Sequence, residues 1–205
     1  ITYTTSSGCA TSVSFTVGGP SITKSGTITA LATCIGTASA SQTFTITGSG
    51  LTNNIIITSP TGYEIATTSG GTYSSSITLT QSSGSVTNTS IFVRITAAAT
   101  SAPAGTISIT STGAIAQTIT IPASTVNALP NITGTLTTVI EGTSTLSSTI
   151  AGGTWSSSTT DVATISASGV VTGVANGTTT ITYTTSSGCA TSVSFTVAGP
   201  SITKS

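Results

Sequence analysis

Apolar and hydroxyl-bearing residues alternate along this chain with a period of two. The segments TFTIT (43–47), SITLT (76–80), IFVRI (91–95), TISIT (106–110), TITYT (180–184) and SVSFTV (192–197) carry Ile, Val, Leu, Phe or Tyr at every second position, mostly with Thr or Ser between. Successive side chains of a strand point to opposite faces, so this pattern predicts strands with one buried and one wet face. No stretch spaces apolar residues by three and four over ten or more positions. The nearest, ITAAATSAPA (95–104), is interrupted by Pro103 and followed by Gly105, so no helix longer than one turn is predicted. Turn signals such as Gly48-Ser-Gly50, Ser59-Pro-Thr-Gly62, Gly70-Gly71, Ser83-Gly84, Gly152-Gly153 and Asn176-Gly177 punctuate the strands. That rhythm predicts an all-β chain of antiparallel sandwiches.

A repeat organises the strands. Residues 1–25 (ITYTTSSGCATSVSFTVGGPSITKS) and 181–205 (ITYTTSSGCATSVSFTVAGPSITKS) agree at 24 of 25 positions at an offset of 180, differing only at Gly18 against Ala198. A period that long exceeds any single solenoid or propeller unit, which runs about 20–50 residues, so the repeating unit holds whole domains. Two Pro-containing breaks without strand pattern, Gly18-Gly-Pro20 (recurring as Ala198-Gly-Pro200) and Val126-Asn-Ala-Leu-Pro130, divide it. The expected layout is the last two strands of a preceding copy at 1–20, a larger sandwich at 21–126, a smaller one at 127–199 and the start of the next copy at 200–205. The sandwiches are expected end to end, as a rod of roughly 70–90 Å per period from strand lengths plus loops. The chain opens in mid-pattern with neither a start Met nor a charged leader, so a longer protein is expected around it.

In the smaller domain, GTWSSSTTDVATISASGVVTGVANGTTTITYTTSSGCATSVSFTV resembles the group 2 bacterial immunoglobulin-like domain. Trp155, Val162–Ile165, Gly169–Val174 and Gly177–Tyr183 match that family's W-S-S run, V-A-T-I strand, G-V-V-T-G-V hairpin and G-T-x-x-I strand in order. The larger domain, with SASQTFTITGSGLTNNIIITSPTGYEIATTSGGTYSSSITLT and IFVRITAAATSAPAGTISITSTGA, resembles sandwich repeats of giant Bacteroidota surface proteins, among them gliding-motility adhesins of the SprB type. These resemblances imply immunoglobulin-like sandwiches, export by type IX secretion, an extracellular cell-surface location and a stalk or filament role in attachment and gliding motility.

Composition narrows the classes of function. Ser and Thr fill 88 of 205 positions, and charged residues make up 3%, against roughly 25% in an ordinary soluble domain. Three basic side chains provide no stripe for phosphates, so nucleic acid is not an expected partner. Histidine is absent, which excludes imidazole acid–base chemistry and His metal ligation. No run approaches 18 apolar residues, so no membrane-spanning helix is predicted. Hydrophobic residues at 36%, rich in Ile and Val, argue for a packed core rather than disorder.

Candidate chemistry is sparse, and neither an enzyme, a cofactor nor a metal site is expected. Ser21-Ile-Thr-Lys24, repeated at 201–204, fits the S-x-x-K signature of serine β-lactamases, but it follows Pro20 in a linker and no S-D-N or K-T-G accompanies it. Glu64, Glu141 and Asp161 lie in separate segments, unlike the carboxylate clusters that Ca²⁺ needs. Lys24, Glu64 and an asparagine among Asn53, Asn54 and Asn88 are the ingredients of an intramolecular isopeptide bond, with Lys24 expected to be solvated beside its linker. Tyr63, Tyr73, Phe92 and Trp155 are candidates for a glycan platform, and the T-x-T runs for an ice-binding face, although sheet twist works against lattice matching. A carbohydrate-binding module is thus the alternative to a stalk, with an ice- or surface-binding protein behind it. Expected partners are neighbouring copies of the same chain, a surface or glycan receptor of unknown identity, and other stalks through lateral self-association.

Cysteine usage follows the repeat. Cys9 and Cys189 are one position in successive copies, leaving Cys34 and Cys189 as the pair in each period, an even number that suits a disulfide in an exported protein. Strand direction places both near the junction at 126–130, so a Cys34–Cys189 bridge is the possible pairing, one that would hold the angle between the domains with Cys9 left unpartnered. Free thiols are the favoured state. A bridge from Cys9 to Cys34 would have to cross two strand lengths, roughly 45 Å, where a disulfide needs Cα atoms within about 7 Å.

Overall fold

The computed structural model describes residues 2–4, 6–8, 10–12 and 18–199, and these contain strands and turns but no helix. The chain forms two compact units. The first holds Ile1–Leu31, Ala40–Thr96 and Ser101–Ser124, and the second holds Ala32–Ser39, Ala97–Thr100 and Thr125–Ser205.

At the start, β1 (Thr2–Thr4) and β2 (Ala10–Ser12) form an antiparallel hairpin pairing Thr2 with Ser12, Tyr3 with Thr11 and Thr4 with Ala10. In chain order follow β3 (Ser21–Ser25), β4 (Ala32–Cys34), β5 (Gln42–Ser49), β6 (Ile55–Thr58), β7 (Tyr63–Ala66), β8 (Ser76–Leu79), β9 (Val86–Ile95), β10 (Gly105–Thr110), β11 (Gln117–Ile121) and β12 (Thr125–Asn127). Sheet order β3-β5-β9-β7 faces sheet order β11-β10-β6-β8 in the first unit. Phe44 and Ile46 of β5, Ile91 and Val93 of β9, Ile57 of β6 and Ile107 of β10 are all at most 1% exposed, so the alternating apolar positions of both sheets meet in one core.

One strand keeps its inward face only by breaking register. In β9, Val86 is buried, and so are Ile91, Val93 and Ile95, an even position followed by odd ones. The pairing with β5 shifts between Ile46↔Thr89 and Gly48↔Val86, so β9 carries one extra residue there. This bulge inverts the phase and returns Val86 to the core. Opposite it, a Cβ on Gly48 would lie 2.5 Å from Leu51 Cδ1 and 3.1 Å from Ile55 Cδ1, so a larger residue there would have to push these side chains aside.

The second unit uses β13 (Ile132–Gly134), β14 (Thr137–Val139), β15 (Thr143–Ser148), β16 (Thr154–Ser157), β17 (Ala163–Ile165), β18 (Val170–Gly173), β19 (Gly177–Thr184) and β20 (Ala190–Ala198). Its sheets run β13-β15-β18-β17 and β14-β20-β19-β16. Named by order in the unit, these are the A-B-E-D and G-F-C sheets of an immunoglobulin-like sandwich, with β14 added in parallel beside β20. Ile132, Leu146 and Val171 from one sheet close on Ile181, Phe195 and Val197 from the other, with Trp155 packed against the cluster. The fold class is therefore all-β, built from immunoglobulin-like sandwiches.

Two features depart from the sequence-based layout. The compact units do not divide the chain at 126: the segment 32–39 belongs with the second unit, because β4 pairs in parallel with β12, Thr125↔Ala32 through Asn127↔Cys34. The stretch 125–127, read as the start of a linker, is thus a strand. Ser21–Lys24, placed at the edge of the linker after Pro20, lies within β3, paired with β5 from Ser21↔Ser49 through Ser25↔Thr45.

Candidate functional site

Among the candidate site residues, the structure brings together two cysteines. Cys34 ends β4 and Cys189 stands just before β20; a disulfide joins them, with Cα atoms 5.7 Å apart and 155 residues between them. Both belong to the second unit, so the bond ties the 32–39 segment into that sandwich, where the sequence suggested a clamp on an interdomain angle. Each half is held by its own backbone. The Thr37 N–H donates to the Cys34 carbonyl at 3.0 Å, Ile35 N–H donates to Asn127 O at 2.9 Å, and the Asn127 side-chain amide donates to Thr33 O at 3.2 Å, fastening β4 to β12. On the other side, the turn between β19 and β20 wraps Thr185 around Cys189. The Thr185 N–H donates to Cys189 O at 2.8 Å, and the Thr185 hydroxyl accepts from Cys189 N and donates to Cys189 O, each at 3.1 Å. Cys189 is 1% exposed and Cys34 is half-buried, so a thiol in solution meets the bond from the Cys34 side. Cys9 and the repeated 201–204 tetrapeptide lie outside the described residues.

The other candidates do not assemble into sites. Ser21 and Lys24 lie on an extended strand rather than one helical turn apart, and the exposed Lys24 ammonium donates to the Thr118 carbonyl. The isopeptide ingredients have other partners. Glu64 accepts from Arg94 Nε at 2.7 Å across the β7–β9 pair, while the Asn54 side chain accepts from Gln81 N–H. Arg94 also covers the Tyr73 ring, its guanidinium carbon 3.7 Å from the ring centroid. Among the described residues no three of His, Cys, Asp and Glu come together as a metal-ligand group.

The four candidate aromatics do not form one platform. Tyr63 is 3% exposed, and its hydroxyl donates to Ala102 O and Pro103 O at 3.1 Å. Phe92 and Tyr73 are half-buried in the first unit, the latter beneath Arg94. Trp155 belongs to the second unit and packs on Tyr183, ring centroids 4.6 Å apart and tilted by 58°. Beside this pair an open cleft of about 260 Å³ is bordered by Ile150, Gly153, Ser168 and both rings. The Tyr183 hydroxyl donates to Ile150 O and accepts from Gly153 N–H, both at 2.7 Å. Gly169, in the hairpin that follows β17, sits at φ +85°, and a Cβ there would lie 2.3 Å from Leu146 O, so backbone geometry dictates a glycine at this position of the family-like hairpin.

What the strands present outward is almost purely hydroxyl. On β10, β11, β6 and β8 the outer face pairs Thr106 with Thr120, Ser108 with Thr118 and Thr58, and Thr58 with Ser76, broken by the half-exposed Ile56. On β19 and β20 it pairs Thr178 with Thr196, Thr180 with Ser194 and Thr182 with Ser192, the last joined hydroxyl to hydroxyl at 2.8 Å. Threonine keeps β propensity while its hydroxyl stays solvated, so these faces are wet without charge. Inside, the buried Thr179 hydroxyl is satisfied by Ser157, Ser158 and the Thr159 N–H.

No protein-family model and no curated protein matches the chain. The group 2 domain and the gliding adhesins therefore rest on the residues quoted above. Among solved structures, a C-terminal 282-residue fragment of intimin, in complex with the intimin-binding domain of the translocated intimin receptor, matches at 19% identity and TM-score 0.42, covering 85% of this chain and 62% of that one. Invasin, described as a bacterial integrin-binding protein, matches at 15% identity and TM-score 0.40, covering 87% and 38%. The first two immunoglobulin domains of DIP-gamma match at 12% identity and TM-score 0.36, covering 89% and 98%. The chain spans 45% of an intimin mutant of EHEC O157:H7 and 62% of the intimin fragment. Likeness at this level assigns neither a family nor an activity.

Proposed function

We propose that this chain is one period of the repeating stalk of a large cell-surface adhesin, a structural module rather than an enzyme. The observation that carries the reading is the repeat: the stretch 1–25 recurs at 181–205 with a single change, so copies follow one another in one polypeptide. Near-identical copies serve length and spacing, whereas a catalytic or receptor site needs only one. Three further features support it. The outer faces carry hydroxyls and almost no charge, the cysteines pair at a distance of 155 residues as suits an oxidising exterior, and the sequence resembles exported repeat proteins. The finer reading, in which export uses type IX secretion and the stalk serves gliding, follows from that resemblance. Lateral bundling is part of the proposal, because edges without charge leave little to oppose sheet-to-sheet contact.

Antibody raised against this chain should label extended structures on intact cells of the source organism, and label confined to the cell interior would overturn the stalk. Sedimentation of the protein over a range of concentrations tests bundling, for which a concentration-dependent coefficient is expected. A strong, selective signal on a glycan array would move the assignment to a carbohydrate-binding module.

A further inference from the structure

We propose that the Cys34–Cys189 bond reroutes tension through the stalk, so that a pulled array carries force only through positions 9–34 of each period while the remainder stays slack. The inference rests on the tandem-stalk reading and on covalent connectivity alone. Tension entering a period travels through β3 to Cys34. From there two covalent routes lead to Cys189: the main chain, 155 residues long, and a single sulfur–sulfur bond. The short route becomes taut first. Beyond Cys189 the force runs along β20 toward the next copy. Cys9 is the repeat equivalent of Cys189, so it is the residue at which the preceding copy's shortcut ends, and only positions 9–34 separate one shortcut from the next.

The magnitudes make the effect large. A fully extended chain spans about 3.5 Å per residue, so the run from 9 to 34 reaches about 90 Å where a whole period would reach about 630 Å. Little of that shorter reach is spare length. β3 and β20 are already extended strands, which leaves the loop at 26–31 as the main described slack. Unfolding either sandwich core would then lengthen the stalk hardly at all, since β5 through β19 lie wholly inside the shielded stretch. The surroundings protect the shortcut on one side: Cys189 is 1% exposed, while Cys34 is half-buried on a β4 that the β12 ladder and the Asn127 side chain hold in place.

Single-molecule stretching of the whole chain, held at residues 1 and 205, tests this. The oxidised protein is expected to reach a final length of about 50 residues, 205 less the 155 bridged, or about 180 Å; after reduction it should reach about 720 Å, a fourfold change. Cys34→Ser should match the reduced protein, and Cys9→Ser the oxidised one. The readout is the length at full extension, which for the reduced protein and Cys34→Ser does not depend on folding, while the short length of the oxidised protein and of Cys9→Ser reports the native bond. An oxidised chain that extends to about 720 Å, or to the roughly 630 Å that a Cys9–Cys34 bridge would allow, overturns the proposal. Either result leaves the surface-labelling test of the stalk untouched, and absent surface label would remove the stalk without altering these lengths.

Discussion

Replacing Tyr183 by Phe removes one oxygen from the interior of the second unit and leaves everything else in place. The ring is 4% exposed and keeps its packing on Trp155, 4.6 Å between centroids. Two backbone groups lose their partner, Ile150 O and Gly153 N–H, each 2.7 Å from the hydroxyl. A net hydrogen bond contributes about 0.5–1.5 kcal/mol, so the pair sets a range of about 1–3 kcal/mol. The cleft that borders Ile150 and Gly153 admits water, which recovers part of the loss. The expected cost is then about 1.5 kcal/mol, in the lower half of that range. For a unit of this size that is a fall of roughly 6–12 °C in Tm. Trp155 is the only tryptophan in the chain, so its fluorescence reports this unit without assuming that the whole protein unfolds in one step. A fall of less than about 2 °C would mean that the hydroxyl does not hold the strand-end loop, and the reasoning would fail.

Four further outcomes are expected. Replacing Cys34 and Cys189 together by Ser releases a 155-residue loop, nominally worth about 5 kcal/mol, and a change below about 1 kcal/mol in urea titrations would contradict the closure argument. Phe195→Ala, at a fully buried position between the two sheets, should cost about 3–5 kcal/mol by Trp155 fluorescence, and a near-neutral result would refute the core assignment. Arg94→Ala, whose side chain is 31% exposed, should cost no more than about 1 kcal/mol, with much of the ion-pair share lost in high salt; a cost above about 2 kcal/mol would show that the Glu64 pair is far less screened than its exposure implies. EDTA should move Tm by less than about 2 °C, because Glu64 is engaged by Arg94 while Glu141 and Asp161 stand exposed in separate segments, and a drop above about 5 °C would reveal a structural cation.

The strands were legible wherever burial is one-sided. TFTIT, TISIT and SVSFTV fall inside β5, β10 and β20 because each has one core face and one hydroxyl face. β9 was visible only in its second half, IFVRI; its first half reads as polar chain since the bulge inverts the alternation there. β4 and β12 were invisible for a different reason. Three-residue parallel strands paired across more than ninety positions have no periodicity of their own and take their register from the partner. That pairing gives the segment 32–39 to the second unit, so a division drawn at a proline missed it. For the cysteines the information lay in the repeat, which reduces three residues to two positions. The aromatics illustrate the opposite limit: a list of rings says nothing of which ones face inward, and the Tyr63 and Tyr183 hydroxyls are engaged by backbone carbonyls.

The hairpin β1–β2 repeats the end of the second unit pair for pair: Thr2↔Ser12, Tyr3↔Thr11 and Thr4↔Ala10 correspond to Thr182↔Ser192, Tyr183↔Thr191 and Thr184↔Ala190. A join made anywhere in this shared stretch therefore regenerates the same ladder and the same cysteine spacing. In the tandem stalk proposed above, whole periods would then be gained or lost by recombination between copies with strand pairing and cysteine spacing kept at the seam. The length of that stalk would be a heritable quantity, changing in steps of one whole period while each remaining module stays intact.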